Sequence, residues 1–173
     1  MTRRIGCLLL LLLCLCAGCR TAQEDPELLS NRYNSELNTL LYHWGTYPDY
    51  YAGAYIRDGT LTILVTSRDP EIARTIRSVT GDPSIRVRTV RHSYAELDAI
   101  RSRIQDAVFD MEKRRADSRL DAFVGLGIDE PGNRVVVEVM KGTLTRREID
   151  EILGKDPCVA VVYKDEPYIP KNA

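Results

Sequence analysis

The fold turns on residues 50–66, YYAGAYIRDGTLTILVT. Asp58-Gly59 lies between two runs rich in β-formers, and this pair suits a two-residue hairpin because both of its positions accept positive φ. Beyond the turn, Leu61, Ile63 and Val65 alternate with Thr60, Thr62 and Thr66. One sheet face is therefore expected to be buried and the other partly wet. Residues 69–79 follow with Ile72, Ile76 and Val79 at helical spacing, and Gly81-Asp82-Pro83 then turns the chain into SIRVRTV, a third alternating strand. The order is strand, strand, helix, strand.

The same order returns downstream. Ala52-Gly53-Ala54-Tyr55-Ile56 aligns with Val124-Gly125-Leu126-Gly127-Ile128 at an offset of 72, and LTILV from Leu61 aligns with VVVEV from Val135 at 74. The two added residues fall in the turn Pro131-Gly132-Asn133, where insertions cost least. Ile149, Ile152 and Leu153 mark a helix over 145–153, and Lys155-Asp156-Pro157 repeats Gly81-Asp82-Pro83 at 74. Arg86, Arg88 and Arg91 occupy one face of the last strand in the first copy, against Cys158, Ala160 and Val162 in the second. That face is expected to be wet in the first sheet and covered in the second. Gly125-Leu126-Gly127 lacks the rest of a dinucleotide fingerprint and reads as close packing or a strand irregularity.

Two further helices are predicted around these copies. Leu29, Tyr33, Leu37, Leu40 and Leu41 give a helix over about 26–43, with Pro26 in its first turn behind Asp25 as cap. Ser93-Tyr94-Ala95-Glu96 is a capping box that opens a long amphipathic helix with Leu97, Ile100, Ile104, Val108 and Met111 on one face. Each copy, about 40 residues long, is too small to bury much core alone, so these helices are expected to cover the sheets. The predicted class is α+β: two ββαβ repeats with small sheets, linked by the long helix, plus an N-terminal helix. The boundaries are 26–93 for the N-terminal helix and first unit, 94–119 for the linking helix, 120–167 for the second unit and 168–173 for a tail.

The first residues read as an address. Met1-Thr2-Arg3-Arg4 precedes an apolar run from Ile5 to Ala17, which is shorter than the roughly 17 to 25 residues of a spanning helix. LCLCAGC, ending at Cys19, resembles the lipobox of bacterial lipoprotein signal peptides, with Cys16 where Leu is usual. The resemblance implies a signal peptide over 1–18, lipidation of Cys19, a tether over 19–25 and a place on the outer side of a bacterial cytoplasmic or envelope membrane. Of five cysteines, Cys7, Cys14 and Cys16 would leave with the signal, so Cys158 has no partner for a disulfide once Cys19 carries lipid. Cys158 itself reads as a small buried hydrophobe.

Composition excludes some partners. Lys and Arg number 24 against 25 acids, for a formal net charge of -1, and removing residues 1–18 takes away Arg3 and Arg4 and no acid. Basic and acidic residues are interspersed, so no nucleic-acid footprint is present. The two histidines, His43 and His92, lack metal-binding spacing, and the Ser93 beside His92 is explained by capping. No nucleophile elbow, phosphate loop or paired cysteine site occurs, so no enzyme, cofactor or metal is predicted. The aromatic residues are concentrated: Trp44, the only tryptophan, stands near Tyr47, Tyr50 and Tyr51. Such rings either pack the first helix onto the first sheet or form a contact region for protein or carbohydrate. Trp44, Tyr47, Tyr50, Tyr51, Arg86 and Arg88 are the candidate binding residues.

YPDYYAGAYIRDGTLTILVT, residues 47–66, resembles the pattern in pro-regions of alpha-lytic-type secreted serine proteases and of uncharacterised bacterial surface lipoproteins. The matching positions are Tyr51, Gly53, Ala54, Ile56 and Asp58, then Leu61, Ile63, Val65 and Thr66, with Asp129, Asn133, Val135 and Val137 repeating part of it. The resemblance implies a chaperone or inhibitor of a protease that works partly through a sheet edge. No protease domain is read in the 173 residues, so such a role is expected to act in trans. The sequence thus favours a non-catalytic, lipid-anchored module that binds a secreted or surface protein.

Overall fold

Asp58 and Gly59 both take positive φ, 52° and 68°, and close the hairpin with the twist its strands require. The structure, a computed structural model, describes residues 26–166. The predicted signal, Cys19, the tether with Asp25, and the tail lie outside the described residues. The elements are α1 (Pro26–Trp44), β1 (Tyr51–Arg57), β2 (Thr60–Val65), α2 (Pro70–Thr80) and β3 (Arg86–Thr89), then α3 (Tyr94–Val108) and α4 (Met111–Ala116). A 3-10 turn (Ser118–Ala122) leads to β4 (Phe123–Asp129), β5 (Arg134–Met140), α5 (Arg146–Leu153) and β6 (Val159–Lys164).

The fold is α+β with the predicted duplication. Each sheet has three strands in chain order, the first two antiparallel and the third parallel to the second across a helix. The copies agree in detail. Register slips by one residue between Tyr51 and Gly53 and again between Phe123 and Gly125, at the offset of 72 read from the sequence. Both Asp-Pro turns close the same way: Asp82 Oδ1 accepts from the Ser84 amide at 2.7 Å, and Asp156 Oδ1 from the Cys158 amide at 2.9 Å. Both carboxyls are held below their ordinary value of 3.8, Asp82 first by the Ser84 side chain with the Ser84 amide adding to it, and Asp156 first by the Cys158 amide.

Core packing assigns the helices. Leu37, Leu40 and Trp44 of α1 and Ile72, Ile76 and Val79 of α2 cover Ala54, Leu61, Ile63 and Val65. Leu97, Ile104 and Val108 of α3 and Ile149 of α5 cover Phe123, Val135, Val137 and Val139 in the same manner. A fully buried side chain such as Ile63 or Ile149 contributes about 1.5–3 kcal/mol, so burial under its helix pair stabilises each sheet. The helix over 94–108 is therefore the second unit's own first element, the counterpart of α1. It is a linker only in chain order, and the repeat is αββαβ.

Two expectations are corrected. The long helix stops at Val108, because Asp110 takes extended backbone and caps α4, accepting from the Glu112 and Lys113 amides at 3.0 and 2.9 Å. Arg114 reaches back to the freed Val108 carbonyl at 2.8 Å and to the Phe123 carbonyl at 2.5 Å, satisfying the interrupted helix end. Met111 is consequently 64% exposed and does not extend the apolar face. In the second sheet, Cys158 is buried but Val162 is 38% exposed, since α3 and α5 both lie on the other face. Arg86 and Arg88 are exposed on the outer face of the first sheet, as expected, whereas Arg91 lies beyond the end of β3 and does not share that face.

Candidate binding surface at the junction of the two units

The four-residue turn Glu130–Asn133, two residues longer than its counterpart, is where the second unit meets the first. Asn133, with φ 50°, turns its amide onto the segment between β3 and α3. Its Oδ1 accepts from the Arg91 and His92 amides at 3.2 and 2.8 Å, and its Nδ2 donates to the His92 carbonyl at 2.8 Å. Arg88 donates to the Pro131 carbonyl at 2.7 Å. The inserted residues, read from sequence as a cheap loop extension, form the joint.

Glu130 completes it. Its carboxylate accepts from the Ala54 amide on the outer edge of β1, and Tyr33 O–H donates to the Ala54 carbonyl at 3.3 Å. Gly53 makes room with φ 113°, a conformation L side chains rarely adopt, and a Cβ there would lie 3.2 Å from Glu130 Oε1. Burial pushes the Glu130 carboxyl above its ordinary 4.5. Burial, with the Glu130 charge adding to it, pushes the Tyr33 hydroxyl up to about 12. Tyr51 is raised first by burial, then by Tyr47 and Tyr33, with Glu130 and Tyr94 adding less.

The candidate aromatic residues are brought together, mostly onto one another. Tyr47 stacks on Tyr51 with ring centroids 4.4 Å apart, and Trp44 meets Tyr50 edge-on at 6.2 Å and Tyr51 at 5.8 Å. Tyr94, from the first turn of α3, adds contacts to Tyr47 and Tyr51 at 6.1 and 5.9 Å. Tyr51 is only 4% exposed, Trp44 and Tyr50 are half-buried, and Tyr47 presents one side to solvent. These rings pack α1, β1 and α3 together. Tyr94 was missed by the sequence because its capping-box position explained it as a helix start.

Arg86 and Arg88 lie apart from that cluster, on the outer face of the first sheet. Across the strands Arg86 stands beside Thr62 and Tyr55, and Arg88 beside Leu64 and Gly53. Arg57 and Arg88 both approach the Tyr55 ring, at 5.4 and 5.6 Å from its centroid. These residues line an open groove that includes Arg77.

The fold also joins two residues that sequence left separate. Cys158 Sγ lies 3.2 Å from His92 Nε2 and 3.6 Å from Nδ1, and His92 Nδ1 lies 3.7 Å from the Glu96 carboxylate. Burial and the neighbouring Asp156 push the Cys158 thiol up, away from the thiolate a nucleophile needs. Cys158 is buried, as predicted. No signal in the sequence spacing, 66 positions, joins it to His92. Among the described residues no group of three or more potential ligands is placed to hold a metal ion.

Residues 20–90 match the family model of a Pro-like N-terminal domain. The matched span contains every element from α1 to β3, the whole first αββαβ unit, which is thus pro-region-like. No curated protein matches the chain. Among the described residues no helix is long and apolar enough to cross a membrane.

Proposed function

We propose that this chain is a non-catalytic module of the bacterial cell envelope, held at the membrane by lipid on Cys19, that binds another extracytoplasmic protein. The observation that carries the reading is the open third strand of each sheet. Among the described residues β3 and β6 pair with a neighbour on one side only, and β6 leaves Val162 and Tyr163 38% and 44% exposed. A free strand edge offers a row of backbone donors and acceptors to an incoming strand. The test is crosslinking in intact cells with photoreactive residues at Thr89 and Tyr163, followed by identification of the adduct. One partner captured at either site, and absent for a probe at the remote Glu151, supports the reading. Only self-adducts or none at both edges defeats it. The Cys19 part is checked separately by mass spectrometry of the mature N-terminus, where a lipid-modified cysteine is expected.

A second reading is favoured by the match of the first unit to a Pro-like N-terminal domain. On it, the partner is a secreted serine peptidase that the module folds or inhibits in trans. Adding the purified chain to a denatured peptidase from the same cells should raise the yield of active enzyme or suppress its turnover. No effect on either quantity removes this reading and leaves the first intact.

A further inference from the structure

Arginines gather without carboxylates at one place in the first sheet. Many basic side chains stand against acids, as do Arg74 with Glu71, Arg101 with Asp98, Arg103 with Asp156, Arg146 with Asp150, and Lys164 with Glu138, while single unpaired ones such as Arg68, Arg115 and Lys155 are scattered among the described residues. Among the described residues Arg57, Arg77, Arg86 and Arg88 form no such pair, yet all four line one groove. The groove wraps around the β3 edge. Arg86 and Arg88 rise from the outer face of β3, while Arg77 comes from α2 on the inner face and donates to the Ile85 carbonyl at 3.0 Å. The Val90 amide donates inward to the Val65 carbonyl at 2.8 Å, so strand alternation turns the backbone groups of Val87 and Thr89 outward.

We propose that the β3 edge takes an extended acidic peptide segment as a fourth strand. Val87 and Thr89 pair with its backbone, and alternate carboxylates reach Arg86 and Arg88 on the outer face. Like charges two residues apart on one strand repel, and an anion between them relieves that repulsion. Contact with the Tyr55 ring holds Arg57 and Arg88 in place before any ligand arrives. A purely protective role for the charge fits poorly. The equivalent edge in the second unit, β6, is longer, carries exposed Val162 and Tyr163, and has as its one basic side chain Lys164, which is paired with Glu138. An edge guard against aggregation would be needed there first. The proposal rests on the reading of the chain as a protein-binding module and names the chemistry of one partner segment.

The probe is the acetylated, amidated peptide Glu-Val-Glu-Val-Glu-Val, with Lys-Val-Lys-Val-Lys-Val as control, titrated into the full mature chain and followed by backbone amide shifts. The acidic peptide is expected to shift Val87 and Thr89 and to bind at least about tenfold more tightly than the basic one. Arg86→Glu, which removes a side chain with no bond inside the protein among the described residues, should weaken the acidic peptide about tenfold and favour the basic one. Arg57→Glu serves as a second variant, and thermal unfolding of both checks the fold. Raising ionic strength from about 0.01 to about 0.15 M, which cuts the screening length from ~30 to ~8 Å, should weaken binding in the same direction. No binding, equal binding of both peptides, or binding unchanged in Arg86→Glu overturns the proposal. So does Arg86-dependent sedimentation with vesicles of equal parts phosphatidylglycerol and phosphatidylcholine while the peptide is ignored, because that assigns the arginines to a membrane surface. If Arg86→Glu retains the cellular crosslink at Tyr163, the module reading survives the loss of this one.

Discussion

Glu130 is a half-buried carboxylate that accepts from the Ala54 backbone amide, and its environment makes the joint between the units pH-dependent. Burial raises its folded pKa above the ordinary 4.5, so the folded chain holds a proton that the unfolded chain has already lost. Its contribution to stability is fully present below 4.5 and is lost as pH rises through the folded pKa. The tyrosines facing it, Tyr33, Tyr51 and Tyr94, have raised pKa values and stay neutral across this window. Glu130→Gln keeps an acceptor for the Ala54 amide without the charge. Denaturant unfolding should find the variant more stable than the parent near about pH 7 and equal to it near about pH 4. Asn133→Ala is expected to cost about 1–3 kcal/mol in the same measurement, since it strands the Arg91 and His92 amides and the His92 carbonyl. Neither residue was legible as a joint. A Glu-Pro-Gly-Asn turn is explained locally by turn chemistry, and partners 41 positions away leave no periodic trace.

Local chemistry made most elements readable. Asp-Gly at a hairpin, Ser-x-x-Glu at a helix start and Asp-Pro before a strand each solve a backbone problem within four residues, so each survives in the tertiary structure. Ser93 and Glu96 form the reciprocal capping box at 3.2 and 2.8 Å, and Gly125, read as close packing or a strand irregularity, stands at the register slip with Glu138 packed against it. The break after Val108 was hidden because the apolar spacing runs on through Met111 while a cap is carried by one side chain. Asp110→Ala removes that cap. It should cost about 1 kcal/mol in thermal or denaturant unfolding. It should also raise hydrogen exchange at the Glu112 and Lys113 amides, with those of Leu97 to Ile104 unchanged. Uniform loss of protection along α3 would mean that α3 and α4 behave as one helix.

The repeat was legible at the scale of the molecule because turn chemistry and alternation recur at fixed offsets, whereas ownership of the helices was not. Amphipathic spacing shows that a helix has a buried face but not which sheet buries it; that was decided by Leu97, Ile104 and Val108 meeting Phe123 and Val137. Each unit thus has its own core, and what couples them is small: the Glu130–Asn133 turn, and Tyr94 of α3 against Tyr51 of β1 at 5.9 Å. Units of this size fold marginally alone, so the coupling should hold the chain to a single unfolding transition. Glu130→Ala with Asn133→Ala removes the polar side chains of the turn, leaving only Arg88 on the Pro131 carbonyl, and leaves both cores untouched. Calorimetry of the parent should give one transition with calorimetric and van't Hoff enthalpies in agreement. In the double variant the calorimetric value should exceed the van't Hoff value as the units melt separately. Adding Tyr94→Ala distinguishes the two routes: a single transition that survives the double variant but splits in the triple one assigns the coupling to the aromatic contact instead of the turn.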